Sequence, residues 1–119
     1  MADRKNVVVL VRHSPLNQLK GSEALRQSVG LTLADNEVTA IMVDAAAWLS
    51  VPMLPKLVGG GDVGKHIEAL PMLGSRVEVE KESLDRYRIG VGDVLPGIEV
   101  VSAATICGEL AAADAVIVF

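Results

Sequence analysis

Cys107 is the single cysteine in 119 residues, so sulfur chemistry on this chain runs through that atom or through a borrowed thiol. Carrying a persulfide needs a thiolate, which a helix amino terminus or a nearby cation favours. Ser102 is a good helix cap, and Cys107 follows it by more than a turn, beside Ile106 and one turn before Leu110. Ala103, Ile106, Leu110 and Ala113 form an apolar stripe at helical spacing, and Cys107 is read as sharing it. A free cysteine on such a stripe packs as a small hydrophobe. Core packing is therefore the expected role, and catalysis through Cys107 the competing one.

The best-placed polar set is Arg12, His13 and Ser14, directly after an apolar run, with Asp44 directly after a second one. Open α/β sheets bind their ligands outside the carboxyl ends of the strands. There His13 could move a proton and Arg12 could hold an anionic group such as a persulfide or a phosphate, with Asp44 sharing the cleft. The competing reading is an exposed loop of ordinary polar residues.

Gly59, Gly64 and Lys65 reproduce most of a phosphate-binding loop, but the next residue is His66 where Ser or Thr should hold magnesium. Pro52 and Pro55 also spoil the strand such a loop must follow. A glycine hinge ahead of a helix is the simpler reading, and a small nucleotide- or anion-binding module the alternative. His13 and His66 have no metal-ligand spacing and no cysteine pair. No Gly-x-Ser-x-Gly elbow occurs. Glu78, Glu80, Lys81 and Glu82 read as a solvated face or an oligomer contact, and no cofactor is called for.

The elements that must position these residues follow from apolar periodicity. Asn6 to Arg12 is a β-branched run, the pattern of a strand buried on both faces. A helix is predicted from about Asn17 to Ala34, a second strand over Glu37 to Val43 and a short helix over Ala45 to Leu49. Asp62 caps a helix carrying Val63, Ile67 and Leu70 on one face as far as Pro71. Arg76 to Glu80 alternates polar and apolar, the pattern of a half-exposed third strand. Lys81 to Arg88 is a short helix, Gly90 to Gly97 a loop, Ile98 to Val101 a fourth strand and Ala115 to Phe119 a closing strand. Strands alternating with helices imply a mainly parallel five-stranded sheet with helices on both faces, a flavodoxin-like or Rossmann-like three-layer domain.

Composition bounds the rest. The length fits one domain over residues 1–119. Half the residues are hydrophobic and only 3% aromatic, so Val, Leu, Ile and Ala fill the core. A net charge of −4 without a basic stripe argues against nucleic acid. No apolar run is long enough to span a bilayer or, at Val7 to Val11, to form a signal peptide core. One cysteine cannot make an internal disulfide, which fits a reducing compartment, so a cytoplasmic location is expected. A small domain this apolar is expected to form oligomers, with Val51 to Val58 as its exposed patch.

Three stretches carry a family likeness. They are Val7 to Val11 with the loop and helix ending Gly30-Leu31-Thr32-Leu33-Ala34-Asp35; Val38 to Val43 with Asp44 and its alanine-rich helix; and the finish from Gly108 to Phe119. In this order the chain resembles the DsrE/DsrF-like family, which includes the TusC and TusD sulfur-relay subunits. The resemblance implies a five-stranded flavodoxin-like sheet, homo- or hetero-oligomers of related subunits, and sulfur transfer between protein persulfides, with a sulfur-carrier protein as a partner. Active members carry a cysteine just after the third strand, at the start of the next helix. Here that region reads Val77-Glu78-Val79-Glu80-Lys81-Glu82-Ser83, without a cysteine. The expected function is therefore an accessory, non-catalytic member of a sulfur-relay-like system with a binding cleft near His13. An active sulfurtransferase using Cys107 is the alternative.

Overall fold

The structure is a computed structural model that describes residues 5–13, 20–51 and 63–119. Five strands form one sheet: β1 (Asn6–Val11), β2 (Glu37–Met42), β3 (Arg76–Glu80), β4 (Ile98–Val101) and β5 (Ala115–Val118). Their order is β4-β3-β2-β1-β5, and every pairing is parallel. The helices are α1 (Lys20–Leu33), α2 (Val63–Met72), α3 (Lys81–Arg86) and α4 (Ala103–Ala112), with a 3₁₀ segment over Asp44–Ser50 and a shorter one over Val91–Asp93. The predicted fold class is the one found.

Topology explains which helix lies where. From β1 to β4 each strand is added on the same side of its predecessor, so right-handed crossovers put the intervening helices on one face. The connection from β4 to β5 runs back across the whole sheet, and the same handedness puts α4 on the opposite face. The larger core accordingly joins Val7, Val9, Val11, Val38, Ala40, Met42, Val77 and Val79 to Leu25, Ala46, Leu49, Ile67, Leu70 and Leu84. The smaller core joins Val8, Ile41 and Val43 to Ile106, with Leu10, Val101 and Leu110 against it.

The three helices on the larger core end alike. After α2, Ser75 N donates to Leu70 O and Gly74 N to Pro71 O, with Gly74 at φ +86°. That is a Schellman closure, whose left-handed residue favours glycine. Asp35 (φ +65°) after α1 and Arg88 (φ +56°) after α3 take the same place with side chains attached. Each closure satisfies helix carbonyls that would otherwise lack donors.

Two expectations are corrected. The third strand is not half exposed: Val77, Glu78 and Val79 are all buried. Its polar-apolar alternation is real, but Glu78 faces α4 instead of water, in register with Ile41 of the smaller core. Cys107 is not packing: it is exposed. One residue past Ile106 is about 100° round the helix, and among the described residues α4 covers its face without a second helix beside it. Its flank therefore stays open. For the same reason Val116 and Val118 of β5, in register with Val8 and Leu10, are 42% and 53% exposed.

Candidate functional site

At the carboxyl edge of the sheet the polar residues organise around Ser83. Glu80 ends β3, and α3 begins at once, which turns Ser83 back toward the strand ends. The Ser83 hydroxyl donates to Glu80 Oε1 at 2.6 Å and accepts from Asp44 N at 2.8 Å. Ser83 is fully buried. Asp44 stands at φ +51°, a left-handed conformation that short polar side chains tolerate. Its carboxylate accepts from Arg86 Nη1 at 2.8 Å. One hydroxyl thus ties together the end of β3 and the turn after β2, and an ion pair adds α3.

The next loop is fixed in the same manner. Glu82 accepts from Ala103 N with both oxygens, at 3.0 and 3.1 Å, and Ser102 Oγ accepts from Thr105 N at 3.2 Å. The amino end of α4 is therefore capped by its own serine, as its sequence predicts, and by a glutamate from α3.

Arg12 and His13 lie at the neighbouring strand end. Arg12 N donates to Phe119 O at 2.8 Å, and Val43 N donates to Val11 O at 2.9 Å, so the ends of β5, β1 and β2 are aligned. Arg12 is exposed, and His13 is partly buried with an Nδ1 that has no partner among the described residues. The expectation that Asp44 shares this edge holds for the backbone, but its carboxylate is committed to Arg86. Ser14, the glycine loop at 59–62 and all but the first residue of the Val51–Val58 patch lie outside the described residues.

Cys107 is remote from this cluster in character. On α4 it stands on the opposite flank from Thr105, Gly108, Glu109 and Ala112, and the described part of that helix carries no basic residue. The helix is capped, but Cys107 is beyond its first turn. Among the described residues of α4 nothing concentrates positive charge on the sulfur.

Sequence reasoning missed Glu78, which it took for a solvated or contact residue. Its side chain is fully buried, and its pKa is raised from 4.5 to about 8. Burial is the main cause, followed by a hydrogen bond to Glu109 and that residue's charge. Glu99 pushes the same way and Arg76 opposes them. Near neutrality Glu78 is protonated and donates to the Glu109 carboxylate. The signal lay in pairing position 78 with position 109, which a pass along the chain does not connect.

Solved structures match this architecture over nearly the whole chain. No family model matches the chain, and no curated protein does. Fold and strand order make it a small three-layer α/β domain built on an all-parallel five-stranded sheet. Among solved structures it is similar to the YchN protein of Escherichia coli, with a TM-score of 0.86 at 17% identity over 97% of this chain and 99% of that one. It is also similar to MTH1491, a protein of unknown function from Methanobacterium thermoautotrophicum, with a TM-score of 0.72 at 16% identity over 98% and 100% of the two chains. At these identities the likeness is one of fold.

Proposed function

We propose that this chain is a DsrE/DsrF-like protein that serves intracellular sulfur transfer without carrying the sulfur itself. It acts as an accessory subunit in the cytoplasm, bound to related subunits or to a sulfur-carrier protein. The observation that supports this reading is Ser83. It occupies the start of the helix after the third strand, where the family's carriers have their cysteine, and its hydroxyl is buried between Glu80 and Asp44 N. A hydroxyl cannot form a persulfide, and this one braces two strand ends. The fold shared with YchN over nearly all of both chains is consistent with the family likeness. Arg12, His13 and Asp44, at the carboxyl edge, together with Ser14, which follows His13 in the sequence, are the residues proposed to meet the partner.

A second reading follows from the exposure of Cys107, which leaves its thiol open to a persulfide donor. The two are separated by incubating the protein with a cysteine desulfurase, free cysteine and its cofactor, then measuring intact mass. The accessory reading expects no mass increment of one sulfur atom that is both lost in Cys107→Ser and passed to an acceptor thiol. A transferable sulfur on Cys107 would establish the carrier reading in its place.

A further inference from the structure

On the α4 face, at the amino ends of the strands, a cavity of about 450 Å³ opens between the sheet and the helix. Its walls include Asn6, Glu37, Thr39 and Arg76 from the sheet and Thr105 and Glu109 from α4. This is the opposite end of the sheet from the Ser83 cluster. We infer that the cavity is a binding site for a compact organic cation, a ligand presenting a primary ammonium or guanidinium group to Glu109, whose carboxylate is backed by the buried Glu78.

Unmet acceptors carry the inference. Neither oxygen of the fully buried Glu78 meets a hydrogen-bond donor among the described residues, and neither does the buried Oε2 of Glu109. The two carboxyl groups face one another, so one shared proton is the bond available to them. It leaves acceptor positions unfilled, and buried acceptors are ordinarily filled. Arg76 does not fill them: its Nε is 3.9 Å from Glu78 Oε2 and its side chain is 61% exposed. Glu109 lines the cavity directly, with Glu78 behind it.

Field direction points the same way. Gly108, Glu109 and Ala112 belong to the carboxyl half of α4, where the helix dipole is negative and cations are favoured. The last turn carries no basic residue, and Glu109 adds negative charge close to that end. Glu37 from β2 and Glu99 from β4 are further acids around the pair, with Arg76 on β3 as the opposing charge. An acid-rich helix end over a buried carboxyl is unfavourable for folding alone, and a bound cation would relieve it. A two-headed amine or guanidine of a few carbons fits a volume of this size.

Binding has a proton signature. The cation replaces the shared proton, which passes to the buffer, and both carboxylates are then ionised against the ligand. Titration calorimetry of the whole chain with 1,4-diaminobutane and with 4-aminobutylguanidine tests this, run in two buffers of different ionisation enthalpy. The expected result is saturable binding that releases close to one proton and tightens by up to about tenfold per pH unit between pH 6 and 8. Glu109→Gln, on the outer wall, weakens it by about tenfold or more. Cys107→Ser, on the other flank, leaves it unchanged. Circular dichroism of each variant confirms folding, and the pH profile of the unaltered chain stands without them. No binding at millimolar amine, binding indifferent to pH, or preferential binding of acetate would each overturn the assignment. None of these outcomes bears on the sulfur-transfer reading.

Discussion

Replacing Glu78 by Gln stabilises this protein, and the gain grows as pH rises. The folded chain keeps a proton on Glu78 up to about pH 8, whereas an unfolded chain releases it near 4.5. Between those values the folded state binds more protons than the unfolded state. Stability therefore falls as pH rises through that window, opposite to an ordinary ion-paired carboxylate. Each unit is worth about 1.4 kcal/mol, so at pH 7 keeping the group neutral costs about 3 kcal/mol. Relaxation and water entry in a real interior reduce that, and about 2 kcal/mol is the working figure. Gln removes this cost, keeps the volume and can donate to Glu109 through its amide. For a domain of this size the change is roughly 5–10 °C in Tm. Urea unfolding at pH 5, 7 and 8.5 measures it, followed by fluorescence of Trp48, which stands 6.2 Å from the Tyr87 ring. The two proteins should be nearly equally stable at pH 5 and diverge steadily above it. Unaltered stability that is flat or rising from pH 5 to 8, or a Gln variant less stable at pH 8, would refute the account.

Ser83→Ala removes the hydroxyl between Glu80 and Asp44 N and leaves a part-buried donor and acceptor without it. A loss of about 1–3 kcal/mol is expected in the same unfolding assay, with faster amide exchange at Asp44. Glu82→Ala removes the second cap of α4 and should cost about 0.5–1 kcal/mol, screened by salt because the bond is exposed.

What the sequence disclosed was whatever depends on neighbours along the chain. The β-branched run at Val7–Val11 reads as a strand buried on both faces, the run from Glu37 reads as a second strand, and Ser102 caps its helix by a contact three residues away. The third strand and its alternation were legible too, yet not what Glu78 faces. Its environment is made by α4, some thirty residues on, which the handedness of one crossover carries to that face. The Ser83–Asp44 and Arg86–Asp44 bonds span 39 and 42 positions and leave no local periodicity. Cys107 was misjudged because a stripe of apolar residues says which side of a helix is buried but not how wide the buried band is. Among the described residues α4 alone covers its face of the sheet, and one helix over a sheet buries a narrow band. His13 and Arg12 were placed at the right edge by the strand that precedes them, and that reading rests on the backbone alone.

The meeting of β1 with β5 has a consequence for how the molecule assembles. Strands β1 to β4 add in sequence order, each beside the one before it, whereas β5 must return to β1 across a far larger sequence separation. Asn6 N to Asp114 Oδ2 and Asp114 N to Asn6 O, both 2.8 Å, bridge 108 positions. Loop-closure entropy makes such pairing late in folding. Until it forms, the outer edge of β1 is a bare row of amides and carbonyls between apolar side chains, a surface open to strand addition by another chain. In a folding intermediate, the risk of misassociation is therefore concentrated on the first strand, and the bonds to Asp114 are what end it.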